Sequence, residues 1–434
     1  MNPVYLQRMQ NLLKEEFDAY MQSLEEDTNK GMRVNTLKIS SQDFFQLTNW
    51  TFEKSPFADN GYYLNRDRVY GNTLPFEAGL FYMQEPSASS PVSVLDVQKG
   101  DYVLDMCAAP GSKSTQIAEK LENTGLLVTN EINTSRARIL VENIGKYGAA
   151  NVVVLNNDTS VLSKSFPACF DKVLVDAPCS GEGMMRKNDE ASKQWSLDNI
   201  HHCADMQKQI LENAYICLRK DGILVYSTCT FAPEENEQQI SSFLQRHEDM
   251  ELVPIEVQWG RPGIGMTEAR RIFPMDKGEG HFICKLHKKG EEERNRMTVY
   301  PDSKLPPVAQ EFLDTVLSKP YPHVYAFKDK VYGGMHPFIK TDNLHLVRNQ
   351  VLLGEIKKNR FEPAHTLFTN SYSVCKQTVE LEEDQMQKYL RGETLMIVRP
   401  KGWYAVTYKG YAIAGAYSDG KMLKNKYPHS LRKR

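Results

Sequence analysis

The sequence has no pair of cysteines at C-x-x-C spacing, although eight cysteines are spread along its 434 residues. This absence argues against a zinc ribbon or a redox dithiol, and we expect no bound metal. No run of about 18 uninterrupted apolar residues occurs, which excludes a transmembrane helix. The amino-terminal "MNPVYLQRMQNLLKEEF" also lacks the pattern of a signal peptide. We therefore expect a cytoplasmic protein that contacts no membrane and keeps its thiols free.

The sequence also lacks a strong excess of charge of either sign, because its net charge is −2. Any binding of nucleic acid must then depend on local positive charge. Hydrophobic residues make up 41% and charged residues 25%, which is typical of a soluble globular protein. The pattern of elements predicts four domains, at residues 1–95, 96–290, 291–378 and 379–434, with the charged, proline-bearing segment 288–307 as a linker.

The first and last of these domains are predicted to be small. Apolar residues at helical spacing predict a helix from Tyr5 to Leu24, and "RVNTLKI" predicts a strand at residues 33–39. Residues 392–434 contain short alternating segments separated by glycines, which predicts a small β-barrel.

Residues 100–290 alternate short apolar strands with helical segments such as 134–148 and 205–220. This alternation predicts a parallel sheet covered by helices on both faces. The segment 280–288 predicts a late antiparallel strand near an edge of that sheet. The predicted parallel strands are residues 102–106, 126–131, 151–156, 172–177 and 222–228.

The segment "DYVLDMCAAPGSKSTQIAEKL" (101–121) contains a strand, a loop of small residues and a helix. Small residues let a ligand approach the backbone, but the spacing matches neither a P-loop nor G-x-G-x-x-G. Glu131, Asp158 and Asp176 follow successive strands, so they either line one crevice or cap the helices that follow. An acidic crevice repels phosphates and suits a sulfonium, which favours S-adenosylmethionine over NAD or ATP.

Two cysteines follow the fourth and fifth parallel strands, Cys179 in "DAPCSGEG" and Cys229 in "YSTCTF". Methyl transfer to C5 of a pyrimidine needs a thiolate, because its addition to C6 makes C5 nucleophilic. The residues alone leave open which cysteine attacks, and a buried thiol that only packs is the competing interpretation. We favour packing for Cys203, Cys217 and Cys284, and a structural role beside the cofactor loop for Cys107.

Four ordered motifs, "DMCAAPGSK", "DAPCSGEGMMRK", "YSTCTFAPEENE" and "RIFPMDKGEGHF", resemble those of the Sun-type (Fmu-like) RNA cytosine-C5 methyltransferases. The resemblance covers about residues 30–290 and implies methylation of cytosine C5 in RNA through a covalent Cys–C6 adduct. It implies an α/β fold with a Rossmann-like class I methyltransferase domain built on a mostly parallel seven-stranded sheet. A small N-terminal α/β domain and a C-terminal PUA-like β-rich region are then expected to bind RNA.

The resemblance also implies roles for individual residues. Cys229, in the S-T-C motif, is the implied nucleophile, and Cys179 helps to release the methylated product. Asp176 is expected to contact the N3/N4 edge of the cytosine. DNA cytosine methyltransferases use the P-C cysteine instead, so Cys179 as nucleophile is the alternative. The implied cofactor contacts are Cys107, Ala108, Ala109, Pro110, Gly111, Ser112, Lys113, Glu131, Asp158 and Asp176, with Arg136 supporting Glu131.

Two positions depart from the family pattern. Ser112 stands where many members have glycine, and it keeps a small residue in the loop. His281, in "GHF", stands where phenylalanine is commoner, and it either touches the substrate or holds a structural position at the edge.

Basic segments of the chain are expected to contact RNA at several places. The loop 184–195 either contacts RNA or is a solvated charged loop, and the basic tail after Asp419 either binds phosphates or frays. Arg33 and Asn35 resemble the N-terminal RNA-facing segment of the family. The loop residues in question are Arg186, Lys187, Lys193 and Trp195.

The segment 347–363 resembles the C-terminal region of bacterial RsmF-type enzymes, which modify small-subunit ribosomal RNA. It favours 16S rRNA or the small ribosomal subunit over tRNA as the partner of a monomeric enzyme. The alternatives are an RNA-binding assembly factor with a vestigial methyltransferase fold, and methylation of a protein or a small molecule.

Overall fold

The structure, a computed structural model, describes residues 2–186 and 195–432. The elements of its N-terminal part are α1 (Pro3–Leu13), α2 (Phe17–Glu25), β1 (Gly31–Val34), α3 (Ser41–Thr48), β2 (Gly61–Tyr63), α4 (Leu74–Glu77) and β3 (Phe81–Met83). The three strands form an antiparallel sheet in the order β2-β1-β3.

Two sequence predictions in this part are wrong in detail. The single helix expected from Tyr5 to Leu24 is interrupted, because Lys14 adopts φ 52° and begins a short 3-10 turn, Lys14–Glu16. The strand expected at residues 33–39 ends at Val34, because the carbonyl of Asn35 accepts hydrogen bonds from the amides of Lys38 and Ile39 in a turn.

The central sheet contains five parallel strands, β4 (Tyr102–Asp105), β5 (Leu126–Asn130), β6 (Val152–Leu155), β7 (Phe170–Asp176) and β8 (Leu218–Thr228). They are neighbours in the order β6-β5-β4-β7-β8, within a sheet of ten strands. The helices between and beside them are α5 (Ser90–Leu95), α6 (Ser112–Leu121), α7 (Thr134–Tyr147), α8 (Thr159–Ser165), α9 (Leu197–Cys217) and α10 (Glu237–Arg246). The Rossmann-like arrangement expected from the sequence is confirmed.

The sheet is larger than the seven strands we expected. Strands β9 (Met250–Val253), β10 (Arg261–Gly263), β11 (Met266–Ile272) and β12 (His281–Lys288) extend it beyond β8 as antiparallel neighbours. Strand β12 is antiparallel and near an edge, as predicted: it is the third strand from the β10 end, with β8 on one side of it and β11 and β9 on the other.

Both faces of the sheet are buried, because successive residues of its strands belong to different cores. Val103 packs with Ile117 of α6 and Leu140 of α7, whereas its neighbour Leu104 packs with Leu211 of α9 on the other face. This burial explains why the strands appear as nearly continuous apolar runs in the sequence. It leaves the carboxyl ends of the parallel strands as the place where polar side chains gather.

The C-terminal part forms two separate four-stranded sheets, and it also contributes one strand to the central sheet. The first elements are α11 (Pro307–Val316), β13 (His323–Phe327), β14 (Lys330–Gly334), β15 (Leu346–Asn349), β16 (Val351–Lys357), β17 (Arg360–Pro363) and α12 (His365–Thr369). The first sheet has the order β13-β14-β16-β17, and β15 pairs antiparallel with β6 of the central sheet.

The last sheet, where we predicted a small barrel, contains β18 (Thr378–Glu380), β19 (Gly402–Tyr408), β20 (Tyr411–Ser418) and β21 (Leu423–Asn425) in that order. Its core is shared with the N-terminal part, since Tyr389 and Val406 cluster with Phe44, Trp50 and Phe81. The division into four domains stays a prediction. The remaining elements are α13 (Glu383–Leu390) and the short turns Pro86–Ser89, Glu182–Met184, Pro274–Asp276 and His429–Leu431.

Candidate active site

The carboxyl ends of β7 and β8 bring together three of the residues selected from the sequence. The Sγ atoms of Cys179 and Cys229 are 3.3 Å apart, and both side chains are partly exposed. Asp176, at the end of β7, accepts hydrogen bonds from Lys113 Nζ at 2.8 Å and from Ser227 Oγ at 2.7 Å. Two thiols and an ion pair therefore line one crevice.

The surroundings of the thiols affect the pKa values of Cys179 and Lys113 in the same direction. The contact with Cys229, followed by burial, raises the pKa of Cys179 well above its ordinary value. Burial opposes the charge of Lys113, but Asp176 and then Cys229 hold the pKa of Lys113 above its ordinary value. The Lys113 ammonium, paired with Asp176, is thus within electrostatic reach of Cys229, and Cys179 keeps its proton.

A buried network that the sequence reasoning missed holds the two cysteine-bearing segments together. Glu235 accepts hydrogen bonds from the backbone and side chain of Ser180, and Ser180 Oγ lies 2.8 Å from Thr230 Oγ1. Glu182 accepts from Thr230 Oγ1 at 3.0 Å and from the amide of Phe231 at 2.9 Å. Burial raises the pKa of both glutamates. The signal in the sequence was the acidic and hydroxyl side chains within the two motifs that contain the cysteines, and it could have revealed this network.

Glycine is required where these segments meet. Gly183 donates its amide hydrogen bond to the carbonyl of Cys229 at 2.9 Å. A Cβ at Gly183 would lie 3.0 Å from that carbonyl oxygen and 3.0 Å from Gly280 Cα. The glycine of "SGEG" therefore permits a backbone approach that fixes Cys229.

The loop of small residues lies between β4 and α6, at the end of the sheet that also carries the thiols. Gly111 caps α6 with φ 109°, and a Cβ there would meet Leu140 Cδ1 at 2.8 Å. Arg136 donates a hydrogen bond to the carbonyl of Ala109 at 2.6 Å and lies 3.5 Å from Glu131 Oε2. Arg136 therefore contacts Glu131 as expected. The other expected loop contacts, Cys107, Ala108, Pro110, Ser112 and Lys113, surround the same turn.

Asp105 is a site residue that we did not select from the sequence. Its side chain is fully buried at the end of β4, where Oδ2 accepts from Ser114 Oγ at 2.6 Å. No partner for Oδ1 is present among the described residues. Burial raises the pKa of Asp105 to about 7. It lies behind the crevice, to which Glu131 and Asp176 give an acidic character that fits a sulfonium cofactor and not a phosphate.

Asp158 caps a helix, which was the alternative to lining the crevice. It caps α8, because its side chain accepts hydrogen bonds from the amide and hydroxyl of Ser160 at 2.9 and 2.6 Å. These bonds lower its pKa. Its contact with the cofactor stays a prediction.

The expected RNA contacts at Arg33 and Asn35 are wrong for the protein as folded, because both side chains are buried. Arg33 donates to Ser112 O at 2.9 Å and to Thr115 Oγ1 at 2.8 Å. Asn35 donates to the carbonyls of Gly79 and Tyr147. They join the N-terminal part to α6 and α7 instead.

The loop 184–195 is only partly described, and Lys187 and Lys193 lie outside the described residues. Arg186 donates to the carbonyl of Ser23 at 2.8 Å, and the buried Trp195 donates to Glu182 Oε1 at 2.8 Å. Both side chains thus contact other parts of the protein, whereas we expected them to contact RNA.

His281 is buried at the start of β12, with Nδ1 2.9 Å from Ser87 Oγ. His281 therefore holds a structural position, the second of the two roles weighed for it, although β12 is not an edge strand.

Within residues 2–186 and 195–432, no cluster of three or more histidine, cysteine, aspartate or glutamate side chains could hold a metal ion. In the same ranges, no helix combines the length and apolar character needed to cross a membrane.

Four family models match successive parts of the chain. They describe the N-terminal domain of 16S rRNA methyltransferase RsmF at residues 1–86, 16S rRNA methyltransferase RsmB/F at 92–287, the first C-terminal domain of RsmF rRNA methyltransferase at 311–369, and the methyltransferase RsmF PUA domain at 376–433.

Similar proteins carry related names. The ribosomal RNA small subunit methyltransferase F of Shewanella piezotolerans is 34% identical, with 92% of this chain and 90% of that protein covered. The protein of the same name from Vibrio cholerae is 34% identical, with coverage of 93% and 91%.

Two solved structures from Pyrococcus horikoshii are also similar. A methyltransferase homolog is 31% identical, with a TM-score of 0.60 over 66% of this chain and 95% of that chain. NSun6, solved with SFG, is 25% identical, with a TM-score of 0.59 over 66% and 98%.

Proposed function

Because the chain belongs to the family of 16S rRNA methyltransferase RsmF, we propose that it methylates C5 of a cytosine in small-subunit ribosomal RNA. The reaction depends on S-adenosylmethionine, and RNA is the substrate. The PUA match at residues 376–433 supports RNA binding by the C-terminal part. We also propose that the protein works in the cytoplasm, as a monomer and without a metal.

S-adenosylmethionine, when bound, supplies an electrophilic methyl group on a sulfonium. The residues that would hold it are the loop Cys107–Lys113, Glu131 and Asp105. Glu131 is buried beside the start of α7, a position suited to hydroxyl groups of a ribose. The acidic side chains favour the positive charge of the cofactor.

Cys229 is the proposed nucleophile. Its thiolate adds to C6 of the cytosine, which places electron density on C5. The contact of Cys229 Sγ with Cys179 Sγ at 3.3 Å, beside the Lys113–Asp176 pair, is the observation that carries this assignment. Lys113 stabilises the negative charge on the attacking sulfur.

Asp176 is proposed to orient the cytosine ring. Its two oxygens already accept hydrogen bonds from Lys113 and Ser227. A carboxylate has about four lone-pair sites, so the amino group of cytosine can still donate to it. Lys113 and Ser227 therefore fix the carboxylate that recognises the base.

Cys179 is proposed to act after Cys229. The largest cause of its raised pKa is the contact with Cys229. That contact changes once Cys229 is bound to C6 as an uncharged thioether. The largest cause of the raised pKa is then removed, and Cys179 releases its proton to solvent. Its thiolate takes the proton from C5, the C5–H electron pair forms the C5–C6 double bond, and the bond between C6 and Cys229 breaks to release the Cys229 thiolate. The same geometry thus supports an order in which Cys229 attacks and Cys179 assists release.

Bisulfite mapping of small-subunit ribosomal RNA, with wild-type protein and with Cys229→Ala, tests the function. We expect a methylated cytosine with the wild type and none with Cys229→Ala. The control is Cys203→Ala, which removes a buried thiol of α9 and should retain methylation. Methylation by Cys229→Ala, or methylation of tRNA alone, would contradict the proposal.

The release role of Cys179 has its own test. We expect Cys179→Ala to accumulate a protein–RNA adduct on a denaturing gel, because C5 cannot be deprotonated. An adduct-free variant that turns over at the wild-type rate would remove Cys179 from the mechanism.

A further inference from the structure

We propose that Cys179 and Cys229 form a site of reversible oxidation, at which a hydroperoxide converts the two thiols into a disulfide. This modification goes beyond methyl transfer, and it uses the same pair of sulfur atoms.

The positions of the two sulfurs suit a disulfide. Their separation of 3.3 Å exceeds a sulfur–sulfur bond of about 2.0 Å by only about 1.3 Å. The two cysteines also extend neighbouring parallel strands, since Ala177 donates its amide hydrogen bond to the carbonyl of Ser227 at 2.8 Å. Backbones of neighbouring strands lie about 4.8 Å apart, which is within the range of Cα separations in disulfides.

The surroundings favour stepwise oxidation. Cys229 is partly exposed, and the Lys113 ammonium held by Asp176 at 2.8 Å lies within electrostatic reach of it. The thiolate is the form of a cysteine that attacks a peroxide. The Cys229 thiolate attacks one peroxide oxygen, the O–O bond breaks, and the sulfur becomes a sulfenic acid. The Cys179 sulfur then attacks that sulfur, the S–O bond breaks, and the oxygen leaves as water with the thiol proton. Two electrons pass from the sulfurs to the peroxide, and a dithiol can return them.

The remaining cysteines are less suited to this chemistry. Burial raises the pKa of Cys375 to about 12, so little of it is thiolate at neutral pH. Burial likewise raises the pKa of Cys107. The others, Cys169, Cys203, Cys217 and Cys284, are buried.

The disulfide has a consequence that rests on the proposed function. Neither sulfur in a disulfide can add to C6, so the oxidised protein is inactive. The bond also protects Cys229, because a sulfenic acid without a partner thiol is oxidised further to a sulfinic acid that thiols do not reduce. Oxidation would therefore stop methylation and leave the nucleophile recoverable.

The test titrates reduced, full-length protein with hydrogen peroxide, blocks free thiols with N-ethylmaleimide, and maps unreduced peptides by mass spectrometry. We expect one pair of peptides joined through Cys179 and Cys229, which separates after dithiothreitol. Cys203→Ala is the matched control and should give the same pair at the same dose of peroxide. In Cys179→Ser, we expect Cys229 to reach a sulfinic acid that dithiothreitol does not reverse.

The proposal is overturned if wild-type Cys229 reaches the sulfinic acid as fast as in Cys179→Ser and no joined peptides appear. It is also overturned if Cys229 is joined to Cys203 instead. In either case, methylation by the reduced protein would still uphold the proposed function. If the joined peptides form but the reduced protein methylates no RNA, the oxidation proposal stands and the proposed function fails.

Discussion

Replacing Arg33 by methionine should destabilise the protein strongly, because this arginine joins the N-terminal part to the cofactor loop from a buried position. It is 1% exposed and pairs with Glu119 at 2.5 Å. Its other hydrogen bonds reach Gln84, Ser112 O, Thr115 and Tyr147. Methionine fills similar space but cannot make any of these bonds.

The magnitude follows from what remains after the substitution. Glu119 is 4% exposed and would keep a hydrogen bond from Asn60 at 3.1 Å. Breaking a buried ion pair from one side costs about 3–5 kcal/mol. Burial already raises the pKa of Glu119 to about 7, although Arg33 opposes this shift. Without Arg33, the carboxyl can become neutral by taking a proton, so the loss should be smaller at pH 6 than at pH 8.

Urea denaturation at both pH values measures this loss. The double variant Arg33→Met/Glu119→Leu is the matched control, because it removes the charge left without its partner and should recover part of the stability. Titration with S-adenosylmethionine should show weaker binding by the folded single variant, because Ser112 O loses its donor. A loss below about 1 kcal/mol for the single variant, or an equal loss for the double variant, would refute the reasoning.

The remaining predictions concern Asp105 and Gly183. The folded pKa of Asp105 is raised, so the wild type should lose stability relative to Asp105→Asn as the pH rises from about 4 to about 7, with little further change above that range. Denaturation at pH 5 and pH 8 measures this difference, and a difference independent of pH would contradict it. Gly183→Ala should lower kcat about tenfold to a hundredfold, because the added Cβ displaces the Cys229 carbonyl. Single-turnover methylation measures this effect, and an unchanged rate would show that the close approach is unimportant.

The sequence was most informative where local patterns decide the structure. Apolar runs such as "KVLVDA" predicted the parallel strands, because burial on both faces leaves that pattern. An apolar run also predicted the antiparallel strand β12. The pairing of β12 with β11 and β9 was not predicted, because no local pattern records these contacts.

Burial of polar residues was the main source of error. Arg33 and Asn35 have the residue types of an RNA contact, but their partners Glu119 and Tyr147 lie 86 and 112 residues away. Glu182 and Glu235 were missed for the same reason, since their hydrogen bonds join segments about 50 residues apart. By contrast, Cys179, Cys229 and Asp176 follow adjacent strands, so the predicted topology was enough to bring them together.

The assignment of the nucleophile is the central claim, and an RNA containing 5-fluorocytidine tests it most directly. Fluorine at C5 leaves no proton for removal, so the adduct between sulfur and C6 should persist after methyl transfer. Digestion of this covalent complex and mass spectrometry identify the cysteine that carries the nucleotide. We predict that the modified residue is Cys229, and an adduct on Cys179 would contradict the account.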